Sequence, residues 1–332
     1  MICNGIFGTI GNTPLIELPK LSAAIGRRLL GKAEFLNPGG SVKDRAARGI
    51  IDDAERCGKL APGGTIVEGT AGNTGIALAL LGNARGYRTI ICIPDDQSEE
   101  KYALLRGFGA DVRVIPAVPY TNDENYYHVA RRTAESTPGA FWADQFNNTA
   151  NRDAHAATTG PELWEQTGGR LDAFVAAAGT GGTLAGTSLA LKDRNPNIRT
   201  ILNDPHGSSL YSYVKSGTLE TQGDSNAEGV GIKRIVANFE GAPIDDAIRT
   251  DDRAMVEMAY WLVREEGLFI GGSAALNVAG AARYAMTLPE GSVVATILCD
   301  GGERYRSRLY NRAWLEENDC APTSTDLSFL TE

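Results

Sequence analysis

Histidine and cysteine are scarce in this sequence, and neither is spaced as a metal site would require. The 332 residues include three histidines (His128, His155 and His206), which lie far apart. The five cysteines are an odd number and include no CxxC pair. Structural zinc sites use closely spaced Cys and His ligands. The sequence therefore predicts no metal site, and its thiols are typical of a reduced, cytoplasmic protein.

Positive charge and long apolar runs are lacking as well. Lys and Arg number 32 against 41 Asp and Glu, which gives a net charge of −9, and no basic block occurs. This balance argues against nucleic acid as a partner. No apolar run reaches the roughly 20 residues of a membrane span, and residues 1–5 do not resemble the start of a signal peptide. We therefore expect a cytoplasmic protein that binds neither nucleic acid nor membrane.

The sequence does contain many glycines, 39 in all, which cluster at turns between alternating strand and helix patterns. Such alternation predicts parallel sheets with crossover helices, in two three-layer α/β/α domains that meet near residue 150. Strands are predicted at 15–18, 28–35, 65–68, 87–93, 111–115, 141–143, 173–178, 200–202 and 293–298. Helices are predicted at 42–54, 76–85, 99–106, 124–136, 184–192, 210–214, 252–266 and 274–288. Ser98 is predicted to cap the helix at 99–106. The polar residues 319–332 predict a loose tail.

The segment Asn37–Arg45 is the first candidate for chemistry. Ser41 and Asp44 have the spacing of a capping box, and an apolar stripe from Val42 to Ala54 predicts the helix that follows. Lys43 then lies in the first helical turn, where the positive end of the helix dipole favours a neutral amine. A neutral lysine amine is a nucleophile that can form a Schiff base. The alternative is a solvated lysine at a helix start.

Two further glycine-rich loops each follow a strand and precede a helix. Gly179–Thr183 offers backbone N–H groups and threonine hydroxyls to an anion, which suits a phosphate; a purely structural turn and a Rossmann turn are the alternatives. Gly69–Gly75 offers Thr70, Asn73 and Thr74, which suit a carboxylate but equally suit capping of their own helix. An amine, a phosphate loop and a carboxylate loop at one cleft indicate pyridoxal phosphate acting on an amino acid.

These motifs resemble those of the cysteine synthase (O-acetylserine sulfhydrylase) and cystathionine β-synthase family of fold-type-II pyridoxal-phosphate enzymes. The resemblance covers roughly residues 5–315. It is carried by segments 37–45, 68–75, 145–146, 158–164, 179–183, 228–231, 265–268 and 271–273.

The resemblance implies a role for each matching position. Lys43 is the Schiff-base lysine and the catalytic residue. The implied cofactor-binding residues are Lys43, Asn73, Gly179, Thr180, Gly181, Gly182, Thr183 and Ser273, with Asn73 at the ring oxygen and Ser273 at the pyridine nitrogen. The implied substrate-binding residues are Thr70, Ala71, Thr74, Gln145 and Gly229. Ser273 as a plain helix cap is an alternative that remains compatible with its implied role.

The resemblance also implies an architecture. A smaller domain would span 38–150 and contain a mobile subdomain at about 90–135. A larger domain would comprise 1–37 plus 151–318, and the cofactor would lie in the cleft between the domains of a homodimer subunit.

The implied reaction is β-replacement on O-acetyl-L-serine by sulfide through an α-aminoacrylate, which gives L-cysteine and acetate. Two departures from the family pattern keep alternatives open. Ala71 replaces a serine, and Cys299-Asp300-Gly301 replaces Pro-Ser-Ser or Pro-Asp-Ser, so that Asp300 either adds a negative charge near the cofactor ring or caps the loop. Serine or phosphoserine as donor, and homocysteine, ammonia or another amine as acceptor, are the alternative substrates. A catalytically silent binding partner is the alternative of another class.

Overall fold

Strands and helices alternate along the part of the chain that the computed structural model describes, residues 2–331. The strands are β1 (Leu15–Glu17), β2 (Arg28–Ala33), β3 (Thr65–Gly69), β4 (Arg88–Pro94), β5 (Asp111–Ile115), β6 (Ala140–Trp142), β7 (Ala173–Ala176), β8 (Arg199–Pro205), β9 (Asp246–Thr250) and β10 (Val293–Leu298). The α-helices are α1 (Pro19–Ile25), α2 (Lys43–Arg56), α3 (Asn73–Ala84), α4 (Glu99–Gly107), α5 (Tyr126–Ser136), α6 (Ala150–Ala157), α7 (Thr159–Gln166), α8 (Gly182–Arg194), α9 (Leu210–Ser216), α10 (Asp252–Glu266), α11 (Gly272–Met286) and α12 (Arg312–Glu317).

The strands form two sheets, one in each domain. The larger sheet has six strands in the order β1-β2-β10-β7-β8-β9, and the smaller has four in the order β5-β4-β3-β6. All neighbouring strands run parallel except β1, which is antiparallel to β2. This confirms the predicted α/β class with mainly parallel sheets in two domains. The domain limits at 38 and 150 and the mobility of residues 90–135 remain predictions.

The larger sheet is buried because helices cover both of its faces. Strands such as β7 and β10 are apolar at successive positions, as strands covered on both faces require. Helix α11 lies against the sheet and is rich in Gly and Ala, so that its backbone approaches closely. At Gly280 of α11 a Cβ atom would lie 2.3 Å from Asn203 of β8, and that space is therefore reserved for the asparagine side chain. Asn277 of α11 accepts from the Ala177 N–H at 2.7 Å and donates to the Ile297 carbonyl at 2.9 Å, which fixes the ends of β7 and β10.

Several local predictions differ from the structure. Helix α2 begins at Lys43, whose N–H donates to the Ser41 Oγ at 3.2 Å. The Asp44 carboxylate accepts a hydrogen bond from the Gly39 N–H, which closes the preceding loop on itself. The predicted capping box is therefore wrong, because the glycine loop takes up the carboxylate.

Two other capping predictions are wrong for similar reasons. Ser98 occupies the N-cap position of α4, but its hydroxyl donates to the Arg304 carbonyl at 2.8 Å. Ser273 lies inside α11, whose N-cap is Gly271, and it makes no cap hydrogen bond. In both cases a group distant in sequence lies close to the serine hydroxyl and competes with the helix end.

The sequence also left some elements unpredicted. Helices α1, α6, α7 and α12 and strand β9 are absent from the predictions. The polar residues 319–331, for which the sequence predicts a loose tail, pack on the larger domain through Phe329 and Leu330, which are 2% and 5% exposed. Arg283 donates hydrogen bonds to the carbonyls of both residues. Within residues 2–331, no helix has the length and apolar character needed to cross a membrane.

Candidate active site

The sequence-predicted site residues converge on one cavity between the two sheets. It contains about 1060 Å³ of empty space, open solvent at its mouth included. Every predicted site residue except Gly182 lines it: Lys43, Thr70, Ala71, Asn73, Thr74, Gln145, Gly179, Thr180, Gly181, Thr183, Gly229 and Ser273. The loops that follow β3, β7 and β10 all contribute to its wall, as expected at the carboxyl ends of parallel strands. The roles assigned to these residues remain predictions.

Lys43 presents its amine to this cavity from the first residue of α2. The residue is half-buried, and within residues 2–331 its Nζ has neither a hydrogen bond nor an ion-pair partner. The preceding residue is held in place because the Val42 N–H donates to the Cys299 carbonyl at 2.8 Å. An unpaired amine on a fixed backbone is available to react with a bound molecule.

A buried ion cluster anchors the helix that carries Lys43. Arg45, which is 2% exposed, donates two hydrogen bonds of 2.8 Å to the Glu34 carboxylate and two more, of 2.6 Å and 2.8 Å, to Glu162. Lys32 contacts Glu162 at 2.6 Å from the other side. Burial opposes the ionisation of Glu162, but its hydrogen bonds with Arg45 and the charge of Arg45 prevail and lower its pKa to about 2. The cluster joins α2 to β2 and α7 directly behind the cavity.

Close backbone approach explains the glycines of the loop that precedes α8. A Cβ atom at Gly179 would lie 2.2 Å from the Gly229 carbonyl oxygen, and one at Gly182 would lie 2.3 Å from Asn151. Gly181 has a φ of +82°, which side-chain-bearing residues rarely adopt. Helix α8 begins at Gly182, whose N–H donates to the Thr180 Oγ1 at 3.5 Å. The N–H groups of Thr183 and Leu184, in the same first turn, lack partners within the helix and suit an anion.

Two side chains of α6 hold the threonines of this loop, and sequence reasoning missed both. The Asn151 Nδ2 donates to the Thr180 Oγ1 at 2.9 Å, and the His155 Nε2 lies 3.2 Å from the Thr183 Oγ1. Complete burial lowers the pKa of His155 well below its usual value, so the ring is neutral at physiological pH. Their i, i+4 spacing places them on one helix face, and this was the available sequence signal.

The loop that precedes α3 offers fewer free donors than its residue types suggest. The Gln145 Nε2 donates to Glu68 at 3.2 Å and to the Gly69 carbonyl at 3.1 Å, while its Oε1 accepts from the Thr74 hydroxyl. Burial raises the pKa of Glu68 well above its usual value. Gln145 therefore fixes the loop in the structure, and direct contact with a substrate carboxylate would require one of these bonds to open.

Ser273 and Cys299 both line the cavity. Ser273 is 6% exposed, and the Cys299 Sγ accepts a hydrogen bond from the Asn277 Nδ2 at 3.3 Å. Burial raises the pKa of Cys299 to about 12, so this thiol stays protonated. Gly229, which also lines the cavity, has a φ of +77° and places its carbonyl oxygen against Gly179. A neutral hydroxyl and a neutral thiol thus lie in this part of the cavity wall.

The donor set fits pyridoxal phosphate. Loop 179–183 supplies helix N–H groups and two hydroxyls suited to a phosphate, with glycines where backbone and side chains crowd it. Lys43 supplies an amine suited to an aldehyde. Ser273 and Asn73 supply a hydroxyl and an amide suited to the polar atoms of a pyridine ring. No group of three or more metal-ligating side chains occurs in residues 2–331.

Comparisons with known proteins agree with this chemistry. A family model described as "Pyridoxal-phosphate dependent enzyme" matches residues 6–300. Cysteine synthase 1 of Neurospora crassa is 51% identical over 323 residues, which cover 96% of this chain and 86% of that protein. The crystal structure of an O-ureido-L-serine synthase aligns over 100% of both chains with a TM-score of 0.86 and 35% identity. An O-acetylserine dependent cystathionine β-synthase from Helicobacter pylori aligns over 93% of this chain and 98% of its own, with a TM-score of 0.84 and 35% identity.

Proposed function

Because the chain belongs to the family of pyridoxal-phosphate dependent enzymes, with pyridoxal phosphate as its cofactor, we propose that it catalyses β-replacement on O-acetyl-L-serine. Sulfide is the proposed nucleophile, and L-cysteine and acetate are the products. The observation that carries the proposal is that three features meet at one cavity. They are the unpaired Lys43 amine, loop 179–183, which suits a phosphate (the phosphate-type loop), and loop 69–75, which suits a carboxylate (the carboxylate-type loop). The printed name of the relative from Neurospora crassa supports the same reaction.

The residues proposed to hold the cofactor are those that the sequence indicates. Lys43 would hold it covalently, residues 179–183 its phosphate, Asn73 its ring oxygen and Ser273 its ring nitrogen. When bound, pyridoxal phosphate stabilises negative charge on the α-carbon of the amino acid attached to it.

The chain's own groups bind the substrate and move the proton. Thr70, Ala71 and Thr74 bind the substrate carboxylate at the start of α3, where the helix dipole favours negative charge. Gly229 lies near the substrate amine. The substrate amine would take the place of the Lys43 Nζ on the cofactor, and the freed Lys43 amine takes the α-proton as a general base and later returns it to the α-carbon. The Cβ–O bond breaks as acetate leaves with the electron pair, and the Cβ–S bond forms with sulfide, so no net oxidation occurs.

A second candidate differs in the acceptor. Lys101 and Glu228 line the same cavity and bring opposite charges to its wall. A zwitterionic acceptor such as homocysteine would complement these charges if they separated. In the structure they pair with each other, and Glu228 also pairs with Arg308 at 3.2 Å. This pairing favours the small nucleophile sulfide.

We also propose a homodimer in the cytoplasm and closure of residues 90–135 over bound substrate. Contacts between this segment and the larger domain support the closure. They include the Lys101–Glu228 pair and the hydrogen bonds from Ser307 to Glu100. Size-exclusion chromatography with light scattering tests the dimer.

The reaction is tested in two halves on purified protein loaded with pyridoxal phosphate. O-Acetylserine without sulfide should release acetate and change the visible absorption spectrum, and sulfide should then yield cysteine. Lys43→Ala should lower acetate release by at least roughly 100-fold, because it removes the general base. Lys20→Ala, at an exposed surface lysine, is the control and should behave as wild type.

Each half has its own refuting result. Substantial acetate release by Lys43→Ala would contradict the lysine assignment. A holoenzyme that ignores O-acetylserine would exclude this donor, and a panel of serine, phosphoserine and several acceptors would then identify another reaction. Absence of turnover with every donor and acceptor of the panel would favour the alternative that the protein is a catalytically silent binding partner.

A further inference from the structure

The amide of Asn73 is held from both sides by charged groups. Its Nδ2 donates to the Asp300 Oδ2 at 2.7 Å, and its Oδ1 accepts from the Arg304 guanidinium. The Tyr305 hydroxyl donates to the same Asp300 oxygen at 2.6 Å. Asp300 is fully buried and Arg304 is 7% exposed. Charge-assisted hydrogen bonds of this kind are stronger than neutral ones, especially away from water.

These partners determine which way the amide faces. A flipped Asn73 would place its Oδ1 against the Asp300 carboxylate and its Nδ2 against the Arg304 guanidinium. Both contacts would be repulsive, since a carboxylate only accepts and a guanidinium only donates. The first Nδ2 hydrogen is taken by Asp300. The second remains for an acceptor in the cavity, whose wall Asn73 lines together with Lys43.

Asp300 itself is outside the cavity lining and touches it through Asn73 and Tyr305, which both line the wall. Its Oδ1 lies 2.1 Å from the position that a Cβ atom of Gly271 would occupy, so the glycine leaves room for this carboxylate. That oxygen has no hydrogen-bond partner within the described residues. A buried carboxylate with one oxygen unpaired is costly to the fold, which argues that its other oxygen has a use.

We propose that Asp300 is a positioning residue that orients the Asn73 amide so that its Nδ2 faces the ring oxygen of pyridoxal phosphate. This inference rests on the proposed cofactor contacts of Asn73. It explains the sequence Cys299-Asp300-Gly301 as part of the cofactor site, with Asp300 acting through Asn73. Arg304 completes the arrangement by holding the Asn73 Oδ1.

A double-mutant cycle on cofactor binding tests this directly. Asp300→Ala, Asn73→Ala and the double variant are prepared without cofactor and titrated with pyridoxal phosphate, with absorbance and fluorescence as readouts. Each single variant should raise the dissociation constant about tenfold, the loss expected of one hydrogen bond to a charged group. The double variant should bind no more than about twofold more weakly than Asn73→Ala, because Asp300 acts through Asn73.

Conservative variants separate positioning from general stability. Asp300→Asn keeps a neutral acceptor and should recover part of the affinity for pyridoxal phosphate. If Asp300→Ala does not fold, Asp300→Asn replaces it in the double-mutant cycle. Tyr305→Phe removes the other donor to the same Asp300 oxygen but leaves the Asn73 contact, so it should change the dissociation constant less than threefold.

Additive losses in the double variant would overturn the inference, as would an unchanged dissociation constant in Asp300→Ala. The proposed reaction is tested by a separate experiment. Acetate release from O-acetylserine by the wild-type holoenzyme tests that reaction, whereas the cycle measures cofactor binding without any substrate. The expected coupling between Asp300 and Asn73 could also be found in an enzyme that is inactive with O-acetylserine. That result would support the inference and exclude O-acetylserine as the donor.

Discussion

Replacing Asn151 with alanine should weaken cofactor binding by more than its effect on folding explains. Asn151 is 1% exposed, and its Nδ2 donates at 2.9 Å to both the Gln145 carbonyl and the Thr180 Oγ1. It thus connects the loop after β6 to the phosphate-type loop. The bond to Thr180 occupies a lone pair of the hydroxyl and leaves its hydrogen free for an anion.

The expected magnitude follows from these two bonds. Each neutral hydrogen bond contributes about 1 kcal/mol to stability, so Asn151→Ala should lower the free energy of unfolding by about 2 kcal/mol. The freed Thr180 hydroxyl would no longer face the phosphate reliably. A hydrogen bond to a charged group contributes about 1.5–3 kcal/mol, so we expect the dissociation constant of pyridoxal phosphate to rise about tenfold.

Asn203 provides a matched control. It is fully buried in β8, its Nδ2 donates to the Leu276 carbonyl at 2.7 Å, and its Oδ1 accepts from the Thr250 hydroxyl at 2.7 Å. It does not line the cavity. Asn203→Ala should therefore cost about the same free energy of unfolding, ~2 kcal/mol, with little change in cofactor affinity.

Two measurements on each variant decide the matter: urea denaturation of the protein without cofactor, and titration with pyridoxal phosphate. If both variants lose similar stability and both bind the cofactor within twofold of wild type, Asn151 is only structural and the reasoning about Thr180 is refuted. A loss of affinity in Asn203→Ala equal to that in Asn151→Ala would refute it as well, since the loss would then follow from stability alone.

Three further predictions concern the surroundings of the cavity. Gln145→Ala should raise the KM for O-acetylserine several-fold more than the cofactor dissociation constant, as steady-state kinetics and titration will measure; equal losses would contradict its place in the carboxylate site. Burial opposes the ionisation of Glu162, but Arg45 lowers its folded-state pKa from 4.5 to about 2. The stability that it contributes is therefore present above about pH 4.5 and lost as the pH falls towards 2. Glu162→Gln should remove that part of the pH dependence in denaturation curves, and an unchanged curve would refute the assignment. Glu228→Gln breaks the buried pair with Lys101 and should speed hydrogen exchange in α4 several-fold, whereas unchanged exchange would show that this pair does not restrain the segment.

Much of the fold was predictable from local patterns. The predicted strands at 111–115 and 293–298 and the helix at 252–266 agree with β5, β10 and α10 in their bounds. These segments have a clear period of apolar residues bounded by turns, so local sequence and tertiary burial agree. Helices α6 and α7 were missed because their apolar faces are short and broken by polar residues. Two of those polar residues, Asn151 and His155, support the phosphate-type loop.

The capping predictions failed for a different reason. Ser98 and Ser273 each have a sequence position typical of a helix cap, but tertiary partners occupy or displace the cap interaction. Ser98 donates to a carbonyl 206 residues further along the chain. A serine hydroxyl bonds to whichever good acceptor lies within reach, and sequence spacing reveals only the local acceptors.

The sequence by itself determined the α/β class, the family, the cofactor and the loops that line the cavity. Those loops are defined by residue types that follow strands and precede helices, and this order is a local property of the chain. The tertiary structure alone decided which polar groups in the cavity are free and which are already bonded. Asn73 and Asp300 meet across 227 residues of sequence, and Gln145 has its donors occupied by Glu68 and Gly69. A hydrogen bond depends on distances of a few tenths of an ångström between groups brought together by packing, and only the folded chain determines those distances.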